Sequence, residues 1–206
     1  MRLSLRPVLA TITLALTLAT TAPALAQAPD DFVKTGHAQL ETLLKQPASA
    51  QRDAQIASTF DKMVDYNELV RRCFQQHWAE LDDAKKAEVT DLLKQIVQKN
   101  YRINLKRTLD FNVTYTGTRG QGSDTVVRTV AQSKTDARAA PVQIDYVVQG
   151  PADGPQHVVD IIAENSSTTR NYYTQFHQYL TDPSKGYAVL VQKLKEKIAR
   201  LNTQTP

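Results

Sequence analysis

Cysteine is nearly absent. Cys73 is the one thiol in 206 residues, so no disulfide forms within the chain and stability has to come from a packed core. Histidine is sparse and scattered, at positions 37, 77, 157 and 177. No His-Glu-x-x-His run and no paired cysteines occur, which removes the usual metal-binding motifs. The seven glycines form no phosphate-cradling loop and no Gly-x-Ser-x-Gly elbow, the marks of nucleotide binding and of α/β-hydrolase chemistry. No block of lysine and arginine is interleaved with aromatics, which argues against nucleic acid as a partner. Long apolar runs are missing too: the stretch from Val8 to Thr20 has a core of about a dozen apolar residues, short of the ~20 that a spanning helix needs.

That stretch has a different meaning. Arg2 and Arg6 precede it, Pro23 interrupts it, and Ala24-Leu25-Ala26 is a small-x-small cleavage signature. Residues 1–26 are therefore expected to be a secretory signal peptide of the bacterial kind, cut before Gln27. No cysteine follows the cut, so the leader is not of the lipoprotein type. Loss of two arginines and no acidic residue takes the net charge from +4 to +2. The remainder, residues 27–206, suits one exported domain large enough to bury a core.

The periodicity runs helical, then alternating, then helical. Pro29-Asp30-Asp31 opens a helix in which Phe32, Val33, Gly36, Leu40, Leu43 and Leu44 recur at helical spacing, and Pro47 ends it. A short helix is expected near 51–60. Asp65 is placed to cap a third, and Asp82 a fourth, whose Val89, Leu92, Leu93, Ile96, Val97 and Tyr101 make the broadest apolar stripe. Near Leu109 the period becomes two. Phe111, Val113 and Tyr115 point one way, and residues 117–124, with three glycines, are expected to turn. Strands are expected over 125–133, then from Pro141 with Val142, Ile144, Tyr146 and Val148 on one face, then over 157–163 with Val159 and Ile161. The run 150–155 is the turn between the last two. Two helices follow, one with Tyr172, Tyr173, Phe176, Tyr179 and Leu180, the other with Tyr187, Leu190, Val191, Leu194, Ile198 and Leu201. The layout is α+β: an antiparallel sheet of four strands, or slightly more, packed against helices from both ends of the chain.

Two constellations bear on catalysis. Cys73 and His77 lie one helical turn apart, the spacing of a thiolate–imidazolium pair. Cys73 shares its face with Leu69 and adjoins Phe74, which makes it a small buried hydrophobe instead. Asp160 and Glu164 bracket a strand end, but four residues of strand hold them about 13 Å apart, too far for a glycosidase-like pair. Glu164 is expected to cap the helix that follows. The remaining signal is aromatic: tyrosines share faces with valine and isoleucine, as in a core or in an apolar pocket with hydroxyls at its mouth.

Three segments carry a family resemblance. They are Val64-Asp65-Tyr66 through Arg71-Arg72-Cys73-Phe74 to His77-Trp78; Pro141-Val142-Gln143-Ile144-Asp145-Tyr146; and Val158 to Ser167 followed by Asn171-Tyr172-Tyr173-Thr174-Gln175-Phe176. In order and spacing they resemble the MlaC, or toluene-tolerance auxiliary, family across nearly all of residues 27–206. The chain departs from the family pattern with Asn165 for glycine, Tyr173 for arginine, Cys73 for glycine, Gln156 for tryptophan and a polar Ser167-Thr168-Thr169. The resemblance implies a curved sheet with an apolar cavity between it and the helices, in a periplasmic phospholipid carrier with no covalent chemistry, no cofactor and no metal. It also implies partners: an inner-membrane ABC transporter with an MCE-domain protein, and an outer-membrane lipoprotein–porin complex. The expected lipid-binding residues are Val113, Tyr115, Ile144, Tyr146, Val148, Val159 and Ile161 from the sheet, and Leu93, Val97, Tyr101, Tyr172 and Phe176 from the helices. Two rivals stand beside this reading: a carrier of another apolar molecule such as a hopanoid or a toxic solvent, and an exported enzyme on a similar scaffold. The turns at 117–122 and 150–155 are candidate mobile rims, with a role as plain hairpin turns the favoured alternative.

Overall fold

Capping side chains set the helix starts. In the computed structural model, which describes residues 27–204 apart from 152–153 and the side chains of 105–108 and 204, α1 spans Pro29–Leu44 with Pro29 in its first turn beside Asp30 and Asp31. Proline has no N–H to satisfy there, and the carboxylates suit the positive end of the helix dipole. Helix α2, Ala50–Met63, is capped by Ser49, whose Oγ accepts from the Arg52 amide at 3.1 Å. Helix α3, Tyr66–Phe74, is capped by Asp65 on the Glu68 amide at 3.0 Å. A 3-10 segment, Gln75–Glu80, leads on to α4, Asp83–Thr108, where Asp82 accepts from the Lys85 amide at 2.8 Å. Each such cap satisfies an amide the helix leaves open, worth about 1 kcal/mol. The signal-peptide reading of 1–26 lies outside the described residues.

The sheet is an antiparallel meander in the order β1 (Phe111–Gln121), β2 (Asp124–Ser133), β3 (Val142–Gln149), β4 (His157–Ala163) and β5 (Ser166–Ser167). Residues 117–124 are not the turn expected from their glycines. Strand β1 continues to Gln121 and only Gly122-Ser123 turns; Gly117, at φ +123°, follows a bulge at Thr116. A glycine is needed there because the bulge pushes the backbone into a region L side chains avoid. The fifth strand comes from a two-residue hairpin, Glu164-Asn165, both with positive φ. That pattern matches the twist of a hairpin and tolerates asparagine at Asn165.

Glu164 does not cap the next helix. Its Oε1 accepts from the Gln143 amide on β3 at 2.6 Å. Helix α5, Thr168–Leu180, is held instead by Ser167 on the Arg170 amide and by Asp160, which accepts from the Thr169 amide and the Ser167 hydroxyl at 3.0 and 2.6 Å. Helix α6 spans Gly186–Gln204. No described helix is long and apolar enough to cross a membrane.

Both faces of the sheet are buried in its middle. On one, Val127 and Val148 pack with Val33 of α1. On the other, Val126 and Val147 pack with Val159. Arg72 of α3 forms a bidentate pair with Asp124 at 2.7 and 3.1 Å, tying α3 to the start of β2. Helices pack pairwise, α3 with α5, α4 with α6, α1 with α2. Gly36 lets α1 close on α2, since a Cβ there would strike the Met63 side chain.

Candidate functional site

Register assigns the strand residues to faces. Tyr115 pairs with Thr129 and Thr129 with Ile144; Tyr146 pairs with Val127 on one side and Ile161 on the other; Val113 pairs with Ala131. Cross-strand partners share a face, so Val113, Tyr115, Ile144, Tyr146 and Ile161 line one surface with Val148. Val159 does not join them. It is the extra residue of a bulge opposite Val147 and Val148, and it packs with Val126, Val147 and Ile162 on the reverse face. One inserted residue reverses a side chain, because the alternation is strictly two.

Across from this surface, Leu93 is wholly buried, and Val97 and Tyr101 follow it one and two turns along α4, each half-buried. Tyr101 stacks on Phe60 of α2 at 3.8 Å between ring centres and belongs to one apolar cluster with Tyr146 and Ile161. Burial is graded: Leu93, Ile96 and Val127 are sealed, Tyr101, Ile144, Tyr146 and Ile161 are half-buried, and Val113 is 39% exposed. Where an apolar cavity is expected, Leu93, Val97, Tyr101, Tyr146 and Ile161 form a seam within one packed apolar cluster. Two open surface depressions, of about 380 and 400 Å³, lie elsewhere, around Asn67, Thr90 and Lys94 between α3 and α4, with mixed polar lining.

Tyr172 and Phe176 are in the same buried cluster but face α3: Phe176 packs on Phe74 at 4.9 Å, and Tyr172 lies 5.4 Å from Phe176. Sequence reasoning missed His37. It follows Val33 by one helical turn, on the face of α1 that meets the sheet. Its Nδ1 is hydrogen-bonded to the Tyr115 hydroxyl at 2.7 Å, and its ring meets Tyr146 edge-on at 4.9 Å. Burial lowers its pKa to about 4, so the imidazole is neutral at ordinary pH. Burial likewise pushes Tyr115 up to about 12 and raises Tyr101 and Tyr146. The seam is thus lined by neutral groups, apolar walls with tyrosine hydroxyls, which is what a hydrocarbon ligand requires.

Chemistry has little support around Cys73. The thiol is fully buried and its pKa is raised by desolvation and by Asp160. His77 turns elsewhere: Nε2 meets Nδ1 of His177 at 2.9 Å, and Nδ1 meets Glu80 at 3.2 Å. Among the described residues no group of three His, Cys, Asp or Glu is placed to hold a metal ion.

Comparison with known proteins gives three results. The family model described as MlaC protein matches residues 35–196. No curated protein matches the chain in sequence. The fold is similar to a solved structure of the phospholipid-binding protein from Ralstonia solanacearum in complex with a phospholipid, with TM-score 0.70 and 23% identity, covering 88% of this chain and 99% of that one.

Proposed function

The chain belongs to the MlaC family, and from that premise we propose that it carries phospholipid, holding the acyl chains in the seam between α4 and the inner face of the sheet. The observation that carries the reading is a graded apolar cluster in which sealed Leu93 and half-buried Val97 and Tyr101 join Tyr146 and Ile161, with half-buried Ile144 and exposed Val113 on the same sheet face by register. Val148 and Tyr115 extend it toward α1. Tyr172 and Phe176 bound the cluster on the α5 side, and Val159 supports the sheet from behind.

A diacyl lipid crosses an aqueous compartment only if its tails are hidden, since each exposed methylene costs about 0.8 kcal/mol. The seam hides them if the helices and sheet part. The Ralstonia solanacearum protein of similar fold was solved in complex with a phospholipid, which supports the ligand class. The place of action is the periplasm. The exchange partners are an inner-membrane ABC transporter with its MCE-domain protein and an outer-membrane lipoprotein–porin complex. Exit of tails exposes many methylenes at once, so release waits on a partner that binds the parted form better than the closed one. The carrier acts by binding alone, with no covalent step.

The test is lipid retention by Val97→Asp and Ile144→Lys. Both positions are half-buried, so the variants fold with a stability loss of about 1–3 kcal/mol. Each should lower bound lipid per protein at least severalfold. Unchanged occupancy in folded variants would remove these positions from the wall.

A further inference from the structure

Three lysines of α6 behave differently. Lys193 pairs with Glu196 and Lys195 with Glu88, but Lys197, half-buried, has no carboxylate within ion-pair distance among the described residues. Its Nζ donates to the Tyr172 hydroxyl at 2.8 Å and lies 4.7 Å from the centre of the same ring. The charged group that acts on it is Arg200, one turn along and of like sign; this and, above all, burial lower its pKa. The nearby carboxylate, Glu196, is already bonded by Lys193 and Gln192.

Donors therefore outnumber acceptors. An ammonium has three N–H groups, and one is used. The Tyr172 hydroxyl spends its lone pair on Lys197, and its own proton has no acceptor among the described residues. Burial raises Tyr172 to about 12, so that proton stays on. Arg200, three residues along α6, adds an exposed guanidinium that feels the Glu196 carboxylate without a hydrogen bond or ion pair to any described residue. A half-buried cation without a counter-charge is unfavourable, and one anionic group with several oxygens satisfies all three side chains together.

We propose that Lys197, Tyr172 and Arg200 form a phosphate-binding site. Tyr172 belongs to the same extended apolar cluster as Tyr101, Tyr146 and Ile161, so acyl chains attached to a phosphate held here can enter that cluster. For its source, a lipid headgroup, the inference rests on the carrier reading above. The anion site itself stands on the three side chains.

The experiment has two arms. In the first, wild type, Lys197→Gln and Lys197→Arg are incubated with vesicles containing either phosphatidylglycerol or diacylglycerol of the same chains, and lipid per protein is measured after separation. The glutamine variant should retain roughly tenfold less phosphatidylglycerol, the loss of one charge-assisted hydrogen bond, with diacylglycerol unchanged, and the arginine variant should recover it. The melting temperature of the glutamine variant should not fall, because an uncompensated cation has been removed. In the second arm inorganic phosphate is titrated into the protein while the Lys197 side-chain resonances are followed by NMR. A shift there without lipid uptake by the wild type means free phosphate is the ligand and the carrier reading falls. The proposal is overturned if the variant treats both lipids alike and phosphate leaves Lys197 unmoved.

Discussion

His37 shows how a single side chain reports on the seam. Its neutral ring sits between Tyr115 and Tyr146, and burial takes its pKa from 6.5 to about 4. The unfolded chain binds a proton at higher pH than the folded one. The stability contribution is therefore complete above about pH 6.5 and is lost as pH falls toward 4, up to about 3 kcal/mol in all. Denaturant midpoints measured from pH 7 to 4.5 should fall, and His37→Phe should flatten that slope. An equal slope in the variant would place the titration elsewhere. Cys73 is the complementary case. With no exposure and a raised pKa, the thiol should resist labelling at neutral pH in the native protein, and Cys73→Ala should cost about 1–2 kcal/mol while leaving lipid retention intact. Rapid native labelling would contradict its burial.

Strand β4 and helix α5 are joined through one carboxylate. Asp160 accepts from the amides of Ile161 and Thr169 and from the Ser167 hydroxyl, fixing the start of α5 against the sheet. Asp160→Ala leaves these donors open and should cost about 3 kcal/mol; Asp160→Asn, which keeps one acceptor oxygen, should cost less. Chemical denaturation measures both, and an alanine variant as stable as wild type would show that Ser167 caps α5 unaided. The order of elements was legible from periodicity: six helices and four strands stand where the pattern places them, because long amphipathic stripes and caps such as Asp65 and Asp82 are local signals. Three features were not. The bulge at Val159 adds one residue without a change in composition. Strand β5 is two residues long and exists only because Glu164-Asn165 turns tightly. Glycines 117 and 120 read as a loop, yet Gly117 serves a bulge inside a strand. In each case pairing with a distant strand decides the conformation.

At the scale of the molecule, the seam follows from topology. On the sheet face that carries Tyr146 and Ile161, α1 packs over Val127, Val148 and Tyr146, α3 is tied to β2 by Arg72, and Tyr101 of α4 joins the cluster that holds Tyr146 and Ile161. Tyr115, Ile144, Tyr146 and Ile161 were assigned to that surface by alternation alone, and Leu93, Val97 and Tyr101 by the helical stripe. His37 escaped notice because a lone histidine in an apolar stripe has no motif, and the Lys197–Tyr172 contact because it joins two helices 25 residues apart in sequence. The central claim is that this surface holds lipid. The direct measurement is organic extraction and mass spectrometry of the protein purified from a periplasm, against an unrelated periplasmic protein handled identically. The account predicts phospholipid near one molecule per chain and little in the control; a stoichiometry near zero for every lipid class would contradict it.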